Sequence, residues 1–158
     1  MIDIRLADPV APELQDLLAA HVRYSAENSP EECNHTLDPH AMRDKGLQFW
    51  VAFHEERAVG CGALSVLADG SAEVKSVHVL QDMRGRGLAR QIMIHLAEEA
   101  MAAGHMSLLL ETGSSQCPGY DAARGLYESL GYQYCEPFGD YSADPSSTFM
   151  CLPLRKAA

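Results

Sequence analysis

One glycine-rich stretch, Arg84-Gly85-Arg86-Gly87-Leu88-Ala89, constrains the fold more than any other part of the chain. It joins a predicted strand, AEVKSVHVL (72–80), to a predicted amphipathic helix, LARQIMIHLAEEAMAAG (88–104). A helix N-terminus presents unpaired backbone N–H groups and a partial positive charge, and glycine lets a ligand approach the backbone closely. The stretch therefore predicts either a binding site for phosphate oxygens or a tight turn that only caps the helix.

Two nucleotide-binding motifs do not fit residues 84–89, which we call the glycine turn. A P-loop needs a lysine directly after its second glycine, and here Leu88 follows Gly87. A dinucleotide fingerprint needs glycine or alanine where Arg90 stands, and it follows a βαβ strand, whereas the strands predicted here are antiparallel. A pyrophosphate site of the acetyl-CoA type and a simple capping turn both remain.

Composition is typical of one globular domain, which we expect to span residues 1–158. The formal net charge of −10 argues against a nucleic-acid partner, which requires a clustered basic surface. No apolar run approaches the roughly 18 residues that cross a bilayer, and no signal-peptide pattern is present, so we expect no membrane partner and a cytoplasmic location. The five cysteines form no C-x-x-C pair and no Cys/His spacing suits zinc, so we expect no metal.

Hydrophobic periodicity predicts both strands and helices along the chain. The predicted strands cover 2–7, 47–54, 58–67, 72–80 and 106–112, with two more after residue 131. The predicted helices follow Asp8-Pro9 and Asp38-Pro39 and cover 88–104 and 120–131. Residues 47–80 are therefore expected to form an antiparallel meander that leads directly into the glycine turn.

Two motifs in this order resemble those of the GNAT superfamily, the GCN5-related N-acetyltransferases. The glycine turn matches the pattern [Q/R]-x-x-G-x-[G/A], and residues 123–132, ARGLYESLGY, match A-x-x-L-Y-x-x-L-G-[FY]. The segments GCGALSVL, LLLETGS and LYESLGYQYCEPFGDY are similar to the YsnE-type subgroup of bacterial GNAT proteins. Tyr120 departs from the family pattern, because that position often carries an asparagine that contacts the pantetheine arm of the cofactor.

The resemblance implies an α/β (α+β) fold. Its central sheet is twisted, mixed and mostly antiparallel, with about seven strands and helices on both faces. The resemblance also implies a gap between neighbouring parallel strands 4 and 5, here 72–80 and 106–112. GNAT proteins bind acetyl-CoA in that gap.

The resemblance further implies which residues hold acetyl-CoA. The pyrophosphate would be bound by backbone amides of Arg84, Gly85, Arg86, Gly87, Leu88 and Ala89, and the pantetheine by the backbone of Val77, His78 and Val79. Tyr127 would lie near the thioester sulfur, where a phenol with an unperturbed pKa of about 10 can donate a proton to a leaving thiolate. The alternative for Tyr127 is a half-buried packing aromatic.

An amine acceptor needs a general base, and Glu73 is the first candidate. Strand alternation predicts that Glu73, Lys75 and Val77 share one face of their strand and that His78 faces the other. The alternative for Glu73 is a surface carboxylate paired with Lys75. His35 and His78 are further candidates for the base, because a histidine pKa near 6.5 suits this task. The predicted substrate-binding residues are His35, Glu111 and Thr112.

The sequence thus predicts an N-acetyltransferase that moves an acetyl group from acetyl-CoA to an amine, by direct transfer in a ternary complex. The alternative is a non-catalytic acyl-CoA-binding sensor or regulatory module. The sequence does not name the amine acceptor. GNAT proteins often pair through their terminal strands, so a homodimer is a further expectation.

Overall fold

A seven-stranded sheet, seen in a computed structural model that describes residues 1–30 and 36–154, has the strand order β1-β2-β3-β4-β5-β7-β6. The strands are β1 (Ile2–Leu6), β2 (Gln48–His54), β3 (Arg57–Val66), β4 (Ala72–Val79), β5 (Ser107–Gly113), β6 (Gln133–Tyr134) and β7 (Ser147–Pro153). The helices are α1 (Gln15–Asn28), α2 (Pro39–Asp44), α3 (Leu88–Ala102) and α4 (Asp121–Ser129). The predicted mixed, mostly antiparallel sheet is confirmed.

Strand pairing follows the predicted meander through β4 and then changes direction. Every neighbouring pair is antiparallel except β4 and β5, which are parallel and joined by the α3 crossover. The last strand, β7, lies between β5 and β6 and pairs with β5 along its whole length. This arrangement leaves β4 and β5 side by side at the centre of the sheet, where the parallel pair was predicted.

Each face of the sheet buries its own hydrophobic cluster. On one face, Leu88, Ile92 and Leu96 of α3 pack on β3 and β4. Two glycines of β3 let this helix approach closely, because a Cβ at Gly60 would lie 2.8 Å from Ile92 Cδ1 and one at Gly62 would lie 2.9 Å from Ile92 Cγ2. On the other face, α1 and α2 cover a second cluster of nine buried residues: Leu14, Leu17, Leu18, Met42, Leu47, Phe49, Val51, Cys61 and Ala63.

A β-bulge interrupts β4 and corrects the prediction from strand alternation. Ser76 has a left-handed φ of 59°, and the register with β3 shifts so that Lys75 stands opposite Ala63 and His78 opposite Cys61. Residues directly opposite in an antiparallel pair share a face, so Lys75 and His78 both lie on the α1 face. The predicted grouping of Val77 with Glu73 and the predicted opposite placement of His78 were wrong, because the extra residue reverses the alternation.

The parallel pairing of β4 with β5 ends before the bulge. It joins Ala72–Val74 to Leu108–Leu110, and no pairing with β5 is recorded for the rest of β4. Strand β5 stays paired with β7 as far as Gly113, so β4 and β5 diverge beyond Val74. We call the opening between them the splay. It leaves the β5-facing backbone of residues 75–79 without a strand partner, beside the glycine turn.

Candidate active site

A cavity of about 550 Å³ occupies the splay. Its walls come from α1, β4, the glycine turn, β5, α4 and the loop before β7. The cavity brings together most of the predicted site residues: Glu73, Val77, His78, Val79, Arg84, Gly85, Gly87, Leu88, Ala89, Glu111, Thr112 and Tyr127. Arg86 is exposed and does not line it, and His35 lies outside the described residues.

The glycine turn has the backbone shape that its composition predicts. Gly85 and Gly87 have φ values of +79° and +76°, and a Cβ at either position would meet no atom within 4 Å. Gly87 is the N-cap of α3, and no side chain caps this helix end. Arg84 steadies the turn, since its Nε donates a hydrogen bond to the Val79 carbonyl at 3.1 Å. The first amides of α3 therefore face open space at the mouth of the splay, which fits an anionic ligand such as a pyrophosphate.

Glu73 projects from β4 just before the splay opens, and it belongs to a hydrogen-bonded group of three. The Tyr141 hydroxyl donates to Glu73 Oε2 at 2.5 Å, and Lys75 Nζ lies 3.3 Å from the same oxygen and 2.9 Å from the Tyr141 hydroxyl. The Glu73 side chain is only 9% exposed and that of Lys75 is 16% exposed. Burial, followed by the hydrogen bond to Glu73, raises the pKa of Tyr141 well above its usual value. The Tyr141 phenol therefore stays protonated and acts as a donor.

Tyr127 enters the cavity from α4. Its side chain is buried, and burial together with the nearby Tyr120 and Glu111 raises the Tyr127 pKa to about 12. The ring packs against Tyr132 at a centroid distance of 5.8 Å, which fixes its position. Tyr127 is thus a protonated phenol on the wall of the splay, as an acid that serves a leaving thiolate would need to be.

His78 points towards α1 and carries no charge at neutral pH. Its ring lies 5.3 Å from that of His21 and 5.8 Å from that of Tyr24. Burial, followed by the positive potential of His21 and Arg84, lowers the His78 pKa to about 3, and burial lowers the His21 pKa to about 4. Both imidazoles are poor proton acceptors, so His78 is a weaker candidate for a general base than Glu73.

The end of β5 holds two predicted substrate residues and is braced by α4. Glu111 accepts a hydrogen bond from Ser147 Oγ at 2.7 Å, and Thr112 is buried at the cavity wall. Arg124 Nη1 donates to the carbonyls of Gly113 at 2.5 Å and Ser114 at 2.7 Å. These hydrogen bonds fix the end of β5, which forms one side of the splay.

Tyr120 and Tyr24 close the cavity between α1 and α4, and neither was predicted in this role. Tyr120 packs on Gly113, where a Cβ would collide with its ring, and its hydroxyl accepts a hydrogen bond from Ser29 Oγ at 3.2 Å. Tyr24 donates to the Gly119 carbonyl and lies beneath the Arg84 guanidinium, whose Cζ is 4.8 Å from the ring centroid. Tyr120 thus fills the space beside Gly113 with an aromatic ring, at the position where the family pattern often has a polar asparagine.

The described residues contain neither a metal-binding cluster nor a membrane-spanning helix. Within 1–30 and 36–154, no group of three or more His, Cys, Asp or Glu side chains is arranged to hold a metal ion. In the same part of the chain, no helix has the length and apolar character needed to cross a bilayer.

Comparison with known proteins agrees with this geometry. Residues 45–134, more than half of the chain, match the family described as Acetyltransferase (GNAT) domain. The match contains the bulge, the splay, the glycine turn and Tyr127. The chain belongs to the GNAT family of N-acetyltransferases.

Individual GNAT relatives match the chain over nearly its full length. YsnE of Bacillus subtilis (strain 168), described as an uncharacterized N-acetyltransferase, is 38% identical over 151 residues, covering 96% of this chain and 99% of YsnE. A crystal structure from Klebsiella pneumoniae, of a protein assigned as an acyl-CoA N-acyltransferase, superposes with a TM-score of 0.79 at 29% identity and covers 98% of this chain and 99% of its own. The acetyltransferase yncA of Salmonella typhimurium, solved with acetyl-CoA, shares the fold with a TM-score of 0.73 at 20% identity, covering 100% and 96% of the two chains.

Proposed function

We propose that this GNAT protein transfers the acetyl group of acetyl-CoA directly to an amine of a small molecule or peptide, within a ternary complex. The observation that carries the proposal is the single cavity in which the unpaired end of β4, the open glycine turn and the protonated Tyr127 meet. The same cavity is also lined by the buried carboxylate of Glu73.

The backbone supplies the acetyl-CoA site. The edge of β4 that has no strand partner among the described residues offers the backbone of Val77, His78 and Val79 to the amide-containing pantetheine arm, as an added strand would pair. The Val79 carbonyl already accepts a hydrogen bond from Arg84 Nε. The amides of the glycine turn, residues 84–89, offer donors to the pyrophosphate at the positive end of α3. Both contacts use main-chain groups, so the site depends on backbone shape more than on particular side chains.

Glu73 and Tyr127 divide the proton transfers. Glu73 accepts a proton from the acceptor ammonium, directly or through a water molecule, which frees the nitrogen lone pair. The nitrogen attacks the thioester carbonyl, a C–N bond forms and the C–S bond breaks. Tyr127 then donates its phenolic proton to the departing thiolate. The new amide nitrogen releases its surplus proton, which restores the phenol through water, and Glu73 returns its proton to solvent. Much of the rate enhancement comes from holding the two reactants together.

The acceptor would enter from the α1 face of the splay. Glu111 lies on that face and Thr112 on the opposite face of β5; both line the cavity and can hydrogen-bond a polar acceptor, and an amine is attracted by the carboxylate of Glu111. His35 stays a proposed acceptor contact from the sequence alone.

An amine screen tests the proposed function. The purified protein is incubated with acetyl-CoA and amino acids, polyamines, aromatic amines or short peptides, and the acetylated product and free CoA are both measured. Tyr127→Phe and Glu73→Gln are expected to lower kcat by about 100-fold, the size of a general acid or base contribution, with acetyl-CoA binding retained. Tyr134→Phe is the matched control, since Tyr134 is exposed on β6 and does not line the cavity.

Two outcomes would contradict the proposal. Equal background loss of the thioester with wild type and Tyr127→Phe would show that Tyr127 does not assist transfer, contrary to its proposed role as the acid. Tight acetyl-CoA binding without any acetylated product would instead favour the alternative, a non-catalytic acyl-CoA-binding sensor or regulatory module.

A further inference from the structure

Tyr141 reaches Glu73 from a distant part of the chain and is held there by other aromatic rings. Its ring lies 5.2 Å from Phe138 and 5.5 Å from Phe149, measured between centroids, in edge-on or tilted contacts. Its backbone N–H donates to the Phe138 carbonyl at 3.1 Å. The hydroxyl is therefore placed by packing before it meets the carboxylate, which lowers the entropic cost of the Tyr141–Glu73 hydrogen bond.

The two oxygens of Glu73 have different surroundings. Oε2 accepts from the Tyr141 hydroxyl at 2.5 Å and lies 3.3 Å from Lys75 Nζ. Oε1 makes no hydrogen bond with any residue that the structure describes. It is also not fully buried. Since Glu73 lines the cavity, Oε1 is the oxygen left to meet a ligand.

The charges around Glu73 come from several elements. Lys75 of β4 is its nearest cation, and Glu111 of β5 is a further carboxylate on the cavity wall. The other titratable groups that line the cavity are His21 and Tyr24 of α1, His78 of β4, Arg84 and Arg90 beside the glycine turn, and Tyr120 and Tyr127 at α4. Tyr141 and Lys75 are the groups that touch the Glu73 carboxylate directly.

We propose that Tyr141 is a positioning residue for the general base: it anchors Oε2, holds the Glu73 carboxylate ionised together with Lys75, and leaves Oε1 directed at the acceptor amine. This inference rests on the proposed function of Glu73. A hydrogen bond donated to a carboxylate favours its charged form.

The pH dependence of Tyr141→Phe tests this inference. Removing one charge-assisted hydrogen bond makes Glu73 easier to protonate, so the acid limb of kcat/KM should move to higher pH by about one unit. The KM for acetyl-CoA should stay unchanged, because Tyr141 is not part of the glycine turn. Lys75→Met should move the limb in the same direction, since it removes the neighbouring positive charge.

The chain offers a closely matched control. Tyr134 also donates a hydrogen bond to a carboxylate, Glu128 Oε2 at 2.6 Å, but on the exposed surface of the protein. Tyr134→Phe removes the same chemical group and should leave the pH profile unchanged. A shift common to both variants would overturn the inference, because it would reflect a general effect of losing a tyrosine hydroxyl.

A second measurement does not depend on activity. The protein is labelled with glutamate carrying ¹³C at the side-chain carboxyl, Glu73 is assigned by comparison with Glu73→Gln, and the signal is titrated in wild type and Tyr141→Phe. Parallel upward shifts of the NMR midpoint and of the acid limb support the inference, and an unchanged midpoint overturns it. An NMR shift with an unchanged limb also overturns it, because Glu73 would then not be the base. If wild type acetylates no amine, the proposed function fails, while the NMR titration still decides whether Tyr141 holds Glu73 ionised.

Discussion

Glu73 and His78 project from the same face of β4, although they are five positions apart in the sequence and regular alternation would place them on opposite faces. Glu73 stands opposite Ser65 of β3 and His78 opposite Cys61, and these two β3 residues share a face. The bulge at Ser76 produces this relationship, and it lies two residues beyond Val74, the last residue of β4 that pairs with β5. The bulge thus lies where the splay opens and places His78 on the face that carries the proposed base.

The first prediction concerns Ser76 itself. Its φ of 59° is costly for a β-branched residue, so Ser76→Val should lower the free energy of unfolding by about 1–2 kcal/mol and weaken acetyl-CoA binding. Ser76→Gly should keep or slightly raise stability. Urea unfolding measures the stability of both variants. Ser65→Val, at a position with regular strand geometry, is the control. Equal effects of valine at positions 65 and 76 would argue against a required bulge.

The second prediction compares two glycines with open space around them. Gly87 has a φ of +76°, so Gly87→Ala should destabilise the protein by about 1 kcal/mol and lower the affinity for acetyl-CoA. Gly125 lies exposed inside α4, where a Cβ likewise meets nothing within 4 Å, and Gly125→Ala should stabilise by about 0.5–1 kcal/mol. Thermal unfolding and calorimetric titration provide the readouts. Opposite signs of the two stability changes are the decisive result.

The third prediction concerns acid stability. Burial lowers the pKa of His78 to about 3 and that of His21 to about 4, from an unfolded value of 6.5. Above pH 6.5 both histidines are neutral in the folded and in the unfolded chain, so neither contributes a pH dependence. Below it the unfolded chain binds protons that the folded chain excludes, so stability falls as the pH drops from 6.5 towards 4, by up to about 1.4 kcal/mol per pH unit for each histidine.

Urea unfolding between pH 4.5 and pH 8 measures this slope in wild type and in His78→Gln. The variant should lose less stability on acidification, because it lacks one of the two suppressed protonations. His40→Gln is the control, since that side chain is exposed at α2. An identical slope for wild type and His78→Gln would contradict the buried, neutral state of His78.

The sequence predicts those parts of the site that are local in the chain. The glycine turn, the helix that follows it and Tyr127 each belong to a short motif, so their type and order could be predicted before the fold was known. Strand alternation failed at Val77 and His78, because a bulge depends on how two strands pair and Ser76 carries no glycine signal. Tyr141 could not be assigned to Glu73, since 68 positions separate them and only the packing of Phe138 and Phe149 brings the hydroxyl to the carboxylate.

The measurement that tests the central claim most directly is a calorimetric titration of the purified protein with acetyl-CoA, with ATP and dephospho-CoA as comparisons. The account predicts acetyl-CoA binding in the micromolar range that ATP does not reproduce, because ATP lacks the pantetheine arm that pairs with the free edge of β4. It also predicts weaker binding to Gly87→Ala. The absence of acetyl-CoA binding would contradict the account, since the glycine turn would then serve only to cap α3 and the splay would have no cofactor to hold.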